Sequence, residues 1–461
     1  MTSSFFSEFL YVTDWKTVGF MGVLILLFLG MKVLERRRVS FSVRMLSATV
    51  IGLILGLVIQ FVGGFPDEPL NISFIDEINK WYGFVAYGFM DLLRMLVVPL
   101  VFVSIIRVIL SMEDQDNLGK LTVRTIITLL ATTTLSAIIG IVVANAFGLG
   151  VGEIQTSGDV TLKEVTSIVD TLQSLIPANP IEAMASANIV GVVIFAAFLG
   201  MATRRQSKKY AEVVKPFVDF VEAFYKIMLS VAMTVIKWMP YAVIALLANT
   251  IASRGLTAIY QVLDFIIAAY VALVLTFVMH LLLILLRGYN PITYVKNVAD
   301  ALILAFTSRS SLGTLPVTIE KLSDDVGLND GMASFIASLG ANGGMNGCAG
   351  VYPALVAVML ANMSGTPLDL SFYIMLIVVI ALGSLGITGL PGTATMAVSV
   401  VISGIGLGSA FPLAAAVIAI DPILDMGRTL INVNGAMTTA VLVGDSFKQI
   451  NKEVFNAVKK K

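Results

Sequence analysis

One cysteine, Cys348, and one histidine, His280, are all that the 461 residues hold of either type. A single cysteine excludes an internal disulfide, and the two together leave no Cys/His cluster for structural zinc or an iron–sulfur centre. Charge is scarce as well. Only 13% of the residues are Asp, Glu, Lys or Arg, about half the ~25% usual in soluble domains. The formal net charge is zero, and no basic block is interleaved with aromatics, so nucleic acid is not an expected partner. What fills the chain instead is apolar: 57% of residues are hydrophobic and the mean hydropathy is +0.92. An integral membrane protein is expected.

A spanning helix needs roughly 20 apolar residues. Candidates are 17–35, 44–63, 82–111, 122–148, 186–203, 213–250, 256–286, 329–361 and 408–446. The first carries Glu8, Asp14 and Lys16 ahead of it and ERRR behind it, without a small-residue cleavage site. It is therefore expected to be a retained helix rather than a signal peptide. Two further apolar segments, 296–323 and 370–406, are interrupted by SRSSLGTLP and GSLGITGLPGTAT. Breaks at membrane depth are tolerated only where protein or a water-filled cavity surrounds them, so each is expected to form a re-entrant hairpin.

Basic residues cluster at Lys32, Arg36, Arg37, Arg38 and Arg44, at Arg204, Arg205, Lys208, Lys209 and Lys215, and at Lys459–Lys461. The loop FPDEPLNISFIDEINK is acidic, and 150–185 holds one lysine. Alternating the loops across the bilayer puts every basic cluster on one side, which predicts an outside N-terminus and a cytoplasmic C-terminus. Each hairpin precedes a long helix, and the two enter from opposite sides. Inverted repeats with broken helices meeting at the midplane are characteristic of secondary transporters.

Four stretches carry the candidate chemistry. SRSSLGTLP offers Arg309, Ser310, Ser311 and backbone amides suited to a carboxylate. In DPILDMGRTLINVNG, Asp421, Asp425, Arg428, Thr429 and Asn432 recur at helical spacing and must face an interior cavity, because facing lipid would cost several kcal/mol. An internal Asp425–Arg428 pair that only staples helices together is the structural alternative. The tip of the second hairpin, with Leu390, Gly392 and Ala394, reads as a hinge or gate. GANGGMNGCAG (340–350), with five glycines in eleven residues, predicts an unwound helix centre walled by Met345, Asn346 and Cys348.

These motifs, in this order, resemble the dicarboxylate/amino acid:cation symporters, which have the glutamate-transporter fold. The likeness runs from about residue 44 to 450, and the helix before residue 36 is extra to the family's usual eight. The resemblance implies an all-α polytopic membrane protein: an elevator fold with inverted repeats, two re-entrant hairpins and an added N-terminal transmembrane helix (1–43). It implies a homotrimer, with 44–111 and 186–250 as scaffold and 112–185 and 256–450 as the mobile transport domain, gated by the second hairpin. Asp425 takes the position that binds the substrate α-amino group, and Arg428 the position that recognises the side-chain end. Thr429, Asn432 and Ser311 match further contacts, the last to the α-carboxylate, and Arg309 sits where some members keep a hairpin arginine.

The departures from the family pattern matter as much. Where the family has N-M-D-G-T, this chain has Gly344, Met345, Asn346, Gly347 and Cys348; where it has a sodium-binding aspartate, this chain has Ala436. Sodium prefers oxygen ligands, so two of the family's sodium sites, including the one that uses Thr132 and Thr133, look dismantled. A third, built from carbonyls at Ser384, Leu385 and Ile387 with Asn342, looks retained. The expected coupling cation is H+ or residual Na+, with Asp421 or Asp425 as the candidate proton carrier and Arg428 working against protonation. No other cofactor and no resident metal is expected. NGCAG, SRSS and the room left by Gly344 look most like the L-cystine uptake branch, at a bacterial plasma membrane. A symporter for glutamate, aspartate or serine is the alternative. A passive channel fits less well, and an intramembrane protease less well again, since Asp421 and Asp425 lie on one helix and His280 has no acidic neighbour to orient it; His280 is expected to be a packed or interfacial residue.

Overall fold

The computed structural model describes residues 9–66, 68–110, 116–152, 176–186, 188–255, 257–387, 389 and 392–457. In chain order the helices are α1 (Trp15–Arg36), α2 (Phe41–Gly63), α3 (Ser73–Met95), α4 (Val97–Leu110), α5 (Asp116–Ala146), α6 (Pro180–Ala185), α7 (Ile189–Ser207), α8 (Ala211–Lys237) and α9 (Met239–Arg254). They continue with α10 (Thr257–Leu286), α11 (Pro291–Ser308), α12 (Ser311–Asp324), α13 (Asp330–Asn342), α14 (Tyr352–Met363), α15 (Leu370–Gly383), α16 (Thr393–Gly404), α17 (Ala415–Ala419), α18 (Asp421–Ser446) and α19 (Lys452–Asn456). Among the described residues there is no strand, only an isolated bridge between Leu328 and Ile450.

Six runs among the described residues are long and apolar enough to cross a membrane, and eight if two bent pairs each count as one span. The stretch expected as one span at 213–250 is two helices, α8 and α9, bent by 48° at Trp238 just before Pro240. The one expected at 408–446 turns by 87° ahead of the Asp421-Pro422 start of α18. Proline fits at the first turn of a helix, where its missing N–H has no partner to lose, so each starts a new axis. The stretch at 186–203 forms α7, 19 residues long with Arg204 and Arg205 in its last turn.

Two compact units share the chain. The first is Met1–Met95, Ala232–Ile266 and Phe411–Ile423. Its centre is α9, buried from Met239 to Ala252 apart from the half-buried Tyr241. Gly52 and Gly56 let α2 approach it closely: a Cβ at Gly52 would stand 3.0 Å from the Ile244 carbonyl, and one at Gly56 2.7 Å from Ile251 Cβ. Such small-xxx-small faces are how helices pack where no water drives them together. The opposite face of α2 exposes Val43, Leu46, Val50, Ile54 and Val58. The N-terminal α1 buries a single stripe, Thr17, Leu24 and Met31, and is tied to α3 by Glu77, which accepts from Thr17 Oγ1 at 2.6 Å and from the Thr13 hydroxyl.

The second unit is Leu96–Val231, Ile267–Ala410 and Leu424–Lys461. Each expected hairpin is a packed helix pair here, α11 with α12 and α15 with α16. The first turns at Arg309, a non-glycine residue in the left-handed region (φ 55°), and Ser310 then caps α12 by accepting from Gly313 N at 3.0 Å. The second turns after a short 3₁₀ stretch, Ser384–Gly386, and resumes at Gly392, whose φ of +84° suits glycine. Around α13, α14 and α18 the packing is tight enough that a Cβ at Gly340 would meet Ala436 Cβ at 2.6 Å.

Candidate functional site

The glycine-rich segment breaks its helix over a shorter stretch than the composition predicts. Only Gly343–Met345 leave helical geometry; Asn346–Val351 then wind as a wide π-turn into α14. Single π-turns inside helices commonly mark functional sites, because they release backbone groups from the regular ladder. Here the released groups have a partner on α18. Asn432 Oδ1 accepts from Gly347 N at 2.8 Å and from Cys348 N at 3.0 Å, while its Nδ2 donates to Cys348 Sγ at 3.0 Å. Gly347 is required: a Cβ there would lie 2.4 Å from the Arg428 carbonyl oxygen. One turn of α18 thus rests on the bare backbone of the break.

The same face of α18 carries the charges. Asp425, Arg428 and Thr429 are all buried. Asp425 Oδ1 lies 3.4 Å from Arg428 Nη2 and 3.5 Å from Thr429 Oγ1, and Oδ2 lies 3.6 Å from Arg309 Nε. Arg309 comes from the turn of the first hairpin, so its strained backbone, worth about 1–3 kcal/mol, delivers a guanidinium to a carboxylate on another element. Two arginines thus clamp this carboxylate, at contacts of 3.4 and 3.6 Å that are longer than the roughly 2.7–2.9 Å of a tight charge-assisted hydrogen bond. Beneath it the Arg428 guanidinium stacks over the Tyr352 ring at 4.1 Å.

The two hairpin turns close over this face. Leu312 N donates to Gly389 O at 3.3 Å, Gly389 N to Ala341 O at 3.0 Å, and Gly344 N to Ser384 O at 3.2 Å. A Cβ at Gly389 would stand 2.8 Å from Ser311 Cβ. Ser311 Oγ is buried and has no hydrogen-bond partner. Ser310 is occupied by its capping role. Met345, Asn346, Cys348 and Ala394 are buried around the break and the second hairpin, and Gly392 opens α16. Leu390 lies outside the described residues, as do Pro391 and most of 150–175. Asp421 is buried at the start of α18, four residues before Asp425, and belongs to the first compact unit.

A second set of polar residues follows one turn later on α18, and all of it is neutral. Tyr294 OH donates to Asn434 Oδ1 at 3.1 Å and lies 3.3 Å from Thr438 Oγ1; Asn434 Nδ2 lies 3.0 Å from His280 Nδ1. His280 is fully buried, a packed residue rather than an interfacial one. Asn346 Nδ2 donates to Ser136 Oγ at 3.0 Å. Sequence reasoning missed Tyr352, Ser136, Tyr294 and Asn434. The tyrosine directly after NGCAGV was the available signal for the first of these, since an aromatic face is a natural seat for a buried arginine. The others join elements too far apart in sequence to be paired by spacing.

The profile of the sodium:dicarboxylate symporter family matches residues 41–446. The chain belongs to the sodium:dicarboxylate symporter family. Among its relatives are proteins named L-cystine uptake protein TcyP. Those of Bacillus anthracis and Shouchella clausii are each 38% identical, over 439 and 440 residues, covering 92% of this chain and 93% and 92% of theirs. That of Bacillus licheniformis is 36% identical over 450 residues, covering 94% of this chain and 95% of its own. As a member of this family the chain is a multi-pass membrane transporter with the glutamate-transporter-like helical fold and a coupling cation.

Within that family frame, the oxygens near the break can be placed. Asn346 Oδ1 and Thr133 Oγ1 are buried acceptors with no hydrogen-bond partner, while Thr132 Oγ1 donates back to Leu129 O at 3.0 Å. Ala436 packs against Gly340, so no carboxylate enters there. In the carbonyl group considered for a third site, Ser384 O accepts from Gly344 N, and Asn342 Nδ2 donates to Ser338 O at 2.9 Å. Leu385 is half-buried and Ile387 buried. Among the described residues no cluster of three His, Cys, Asp or Glu could hold a metal ion.

Proposed function

We propose that this protein is a secondary active symporter that imports L-cystine across the bacterial plasma membrane. The observation that carries the reading is the buried Asp425 set between Arg309 and Arg428. A carboxylate suits an α-ammonium, and a guanidinium fork suits a carboxylate. Cystine bears an ammonium and a carboxylate at each end. One end sits on Asp425 and Ser311; the distal carboxylate meets Arg428 or Arg309. The names of the relatives support the same substrate. Two guanidinium groups beside one carboxylate also favour a second reading, aspartate or glutamate.

The coupling cation is read as a proton. The oxygens beside the broken helix belong to neutral groups, Asn346, Ser136, Thr132 and Thr133, and a hard cation held by neutral oxygens alone is held weakly. Residues 44–111 and 186–250 are read as a trimerisation scaffold and 112–185 and 256–450 as the moving transport domain. The second hairpin is the gate, and the N-terminus lies outside. The test is uptake of labelled L-cystine into proteoliposomes under an inward proton gradient and, separately, an inward sodium gradient. Accumulation on the proton gradient alone is expected. Sodium-driven accumulation would overturn the coupling assignment, and no uptake under either gradient would overturn the substrate and turn attention to aspartate and glutamate.

A further inference from the structure

Away from the buried clamp, the second unit encloses a cavity of about 790 Å³, within the roughly 300–1,000 Å³ range of small-molecule sites. It is lined by the end of α4, the first half of α5, the middle of α8 and α13, and its inner end is formed by Asn342, Gly343, Leu385 and Gly386. Those four residues belong to the helix break and the turn of the second hairpin, so the cavity leads to the back of the clamp. On the orientation favoured by the loop charges, the lining segments of all four helices face the cytoplasm.

One wall carries opposite charges side by side. Arg107 Nε and Glu222 Oε2 are 2.7 Å apart, and both side chains remain about two-fifths exposed (43% and 41%); Glu222 Oε1 also lies 3.6 Å from Lys226 Nζ. The Arg107 guanidinium is steadied over the Tyr225 ring at 4.4 Å. Ser104, on the cavity wall beside Arg107, is 4% exposed, and its Oγ is buried without a hydrogen-bond partner. Such a hydroxyl carries a cost until something bonds to it. Across the cavity, Ser338 and Asn342 continue the polar lining toward the hairpin turn.

We propose that this cavity is a second, weaker binding site for an amino acid zwitterion, on the cytoplasmic side of the second hairpin's turn, through which substrate leaves the clamp. A zwitterion holds its ammonium and carboxylate on one carbon, so it fits between Arg107 and Glu222. The carboxylate takes the guanidinium fork and the Ser104 hydroxyl, and the ammonium takes Glu222. Opening a half-exposed ion pair forfeits little, because water already screens it, and two new pairs replace it.

The inference rests on the reading of the protein as an amino acid symporter, and one titration separates the two. Labelled L-cystine is titrated over a wide concentration range onto purified protein, and bound ligand per chain is counted. The wild type should show a tight and a weak class. Arg107→Met with Glu222→Leu should keep the tight class, weaken the other more than tenfold, and slow L-cystine exchange in proteoliposomes severalfold. Arg107→Lys with Glu222→Asp keeps both charges, and a carboxylate beside Lys226, and should retain the weak class. Ser338→Phe, which fills the cavity without touching the pair, serves if the double variant misfolds, and should abolish the weak class. A single tight class per chain in the wild type, or a weak class unchanged in Arg107→Met with Glu222→Leu or in Ser338→Phe, overturns the second site and leaves the symporter reading standing. Absence of any L-cystine binding overturns both.

Discussion

Two successive stretches of α18 contact the same broken helix with opposite chemistry. From Asp425 to Asn432 the buried face carries an aspartate clamped by two arginines and an asparagine bonded to bare backbone. From Asn434 to Thr438 the face is just as buried and just as polar, but nothing on it is charged, and its partners are Tyr294 and His280. Buried charges are costly unless paired, and an imperfect pairing invites a ligand to complete it. Buried neutral groups that pair among themselves fix helices in place and ask for nothing more. On the proposed reading the first stretch recognises a zwitterion, while the second holds α10, α11 and α18 together.

Breaking the charged stretch should have the largest effect. Asp425→Asn removes the carboxylate that Arg309 and Arg428 both face, and breaking a buried pair by removing one partner typically costs about 3–5 kcal/mol. Uptake should fall by about a hundredfold or more, measured as initial rate per folded transporter. Asn432→Ala comes next. It removes the acceptor of Gly347 N and Cys348 N, at about 1–3 kcal/mol for each buried amide left unbonded. The expected result is a lower melting temperature together with weaker L-cystine binding, since the broken backbone loses its anchor.

At the boundary between the stretches, Gly435→Ala sharpens the contrast. Its Cβ would fall 2.0 Å from Asn346 Oδ1, forcing that side chain off Ser136. Overpacking of this kind costs about 1–3 kcal/mol, so stability should drop while the Asp425 clamp stays charged. The smallest effect lies at the foot of the first hairpin. Lys321 is 3.0 Å from both Asp300 and Asp325, and hydrogen bonds to these two carboxylates raise its pKa above the ordinary 10.5. Because the folded value is the higher one, the stabilisation is complete below pH 10.5 and is lost as pH rises through the folded pKa. The difference in melting temperature between wild type and Lys321→Met should be flat from pH 7 to about pH 10 and shrink above it.

Much of the charged stretch was legible before the structure. Asp425, Arg428, Thr429 and Asn432 share a helix face by spacing alone, and GANGGMNGCAG announced a break by its glycines. The break proved shorter than composition implied, because a π-turn keeps Asn346–Val351 wound. The ends of two long apolar runs were also hidden. Trp238-Met239-Pro240 and Asp421-Pro422 start new helix axes within stretches that hydropathy reads as continuous. The neutral stretch was not legible at all. Asn434, Tyr294 and His280 are ordinary residues in apolar helices, the first 140 and 154 positions from the other two, and only the packing of α10 and α11 against α18 makes them a set. Nor does sequence place Ser104 and Asn342 on the wall of one cavity with Arg107 and Glu222.

The most direct test compares the two stretches in one experiment: equilibrium binding of labelled L-cystine to wild type, Arg428→Lys and His280→Gln. Lysine keeps the charge but loses the planar fork and the seat on Tyr352. Glutamine keeps a hydrogen-bonding group for Asn434. Binding should weaken by about tenfold or more in Arg428→Lys, the loss of roughly 1.4 kcal/mol, and stay within about threefold of wild type in His280→Gln. Binding that survives Arg428→Lys and is lost in His280→Gln would contradict the account.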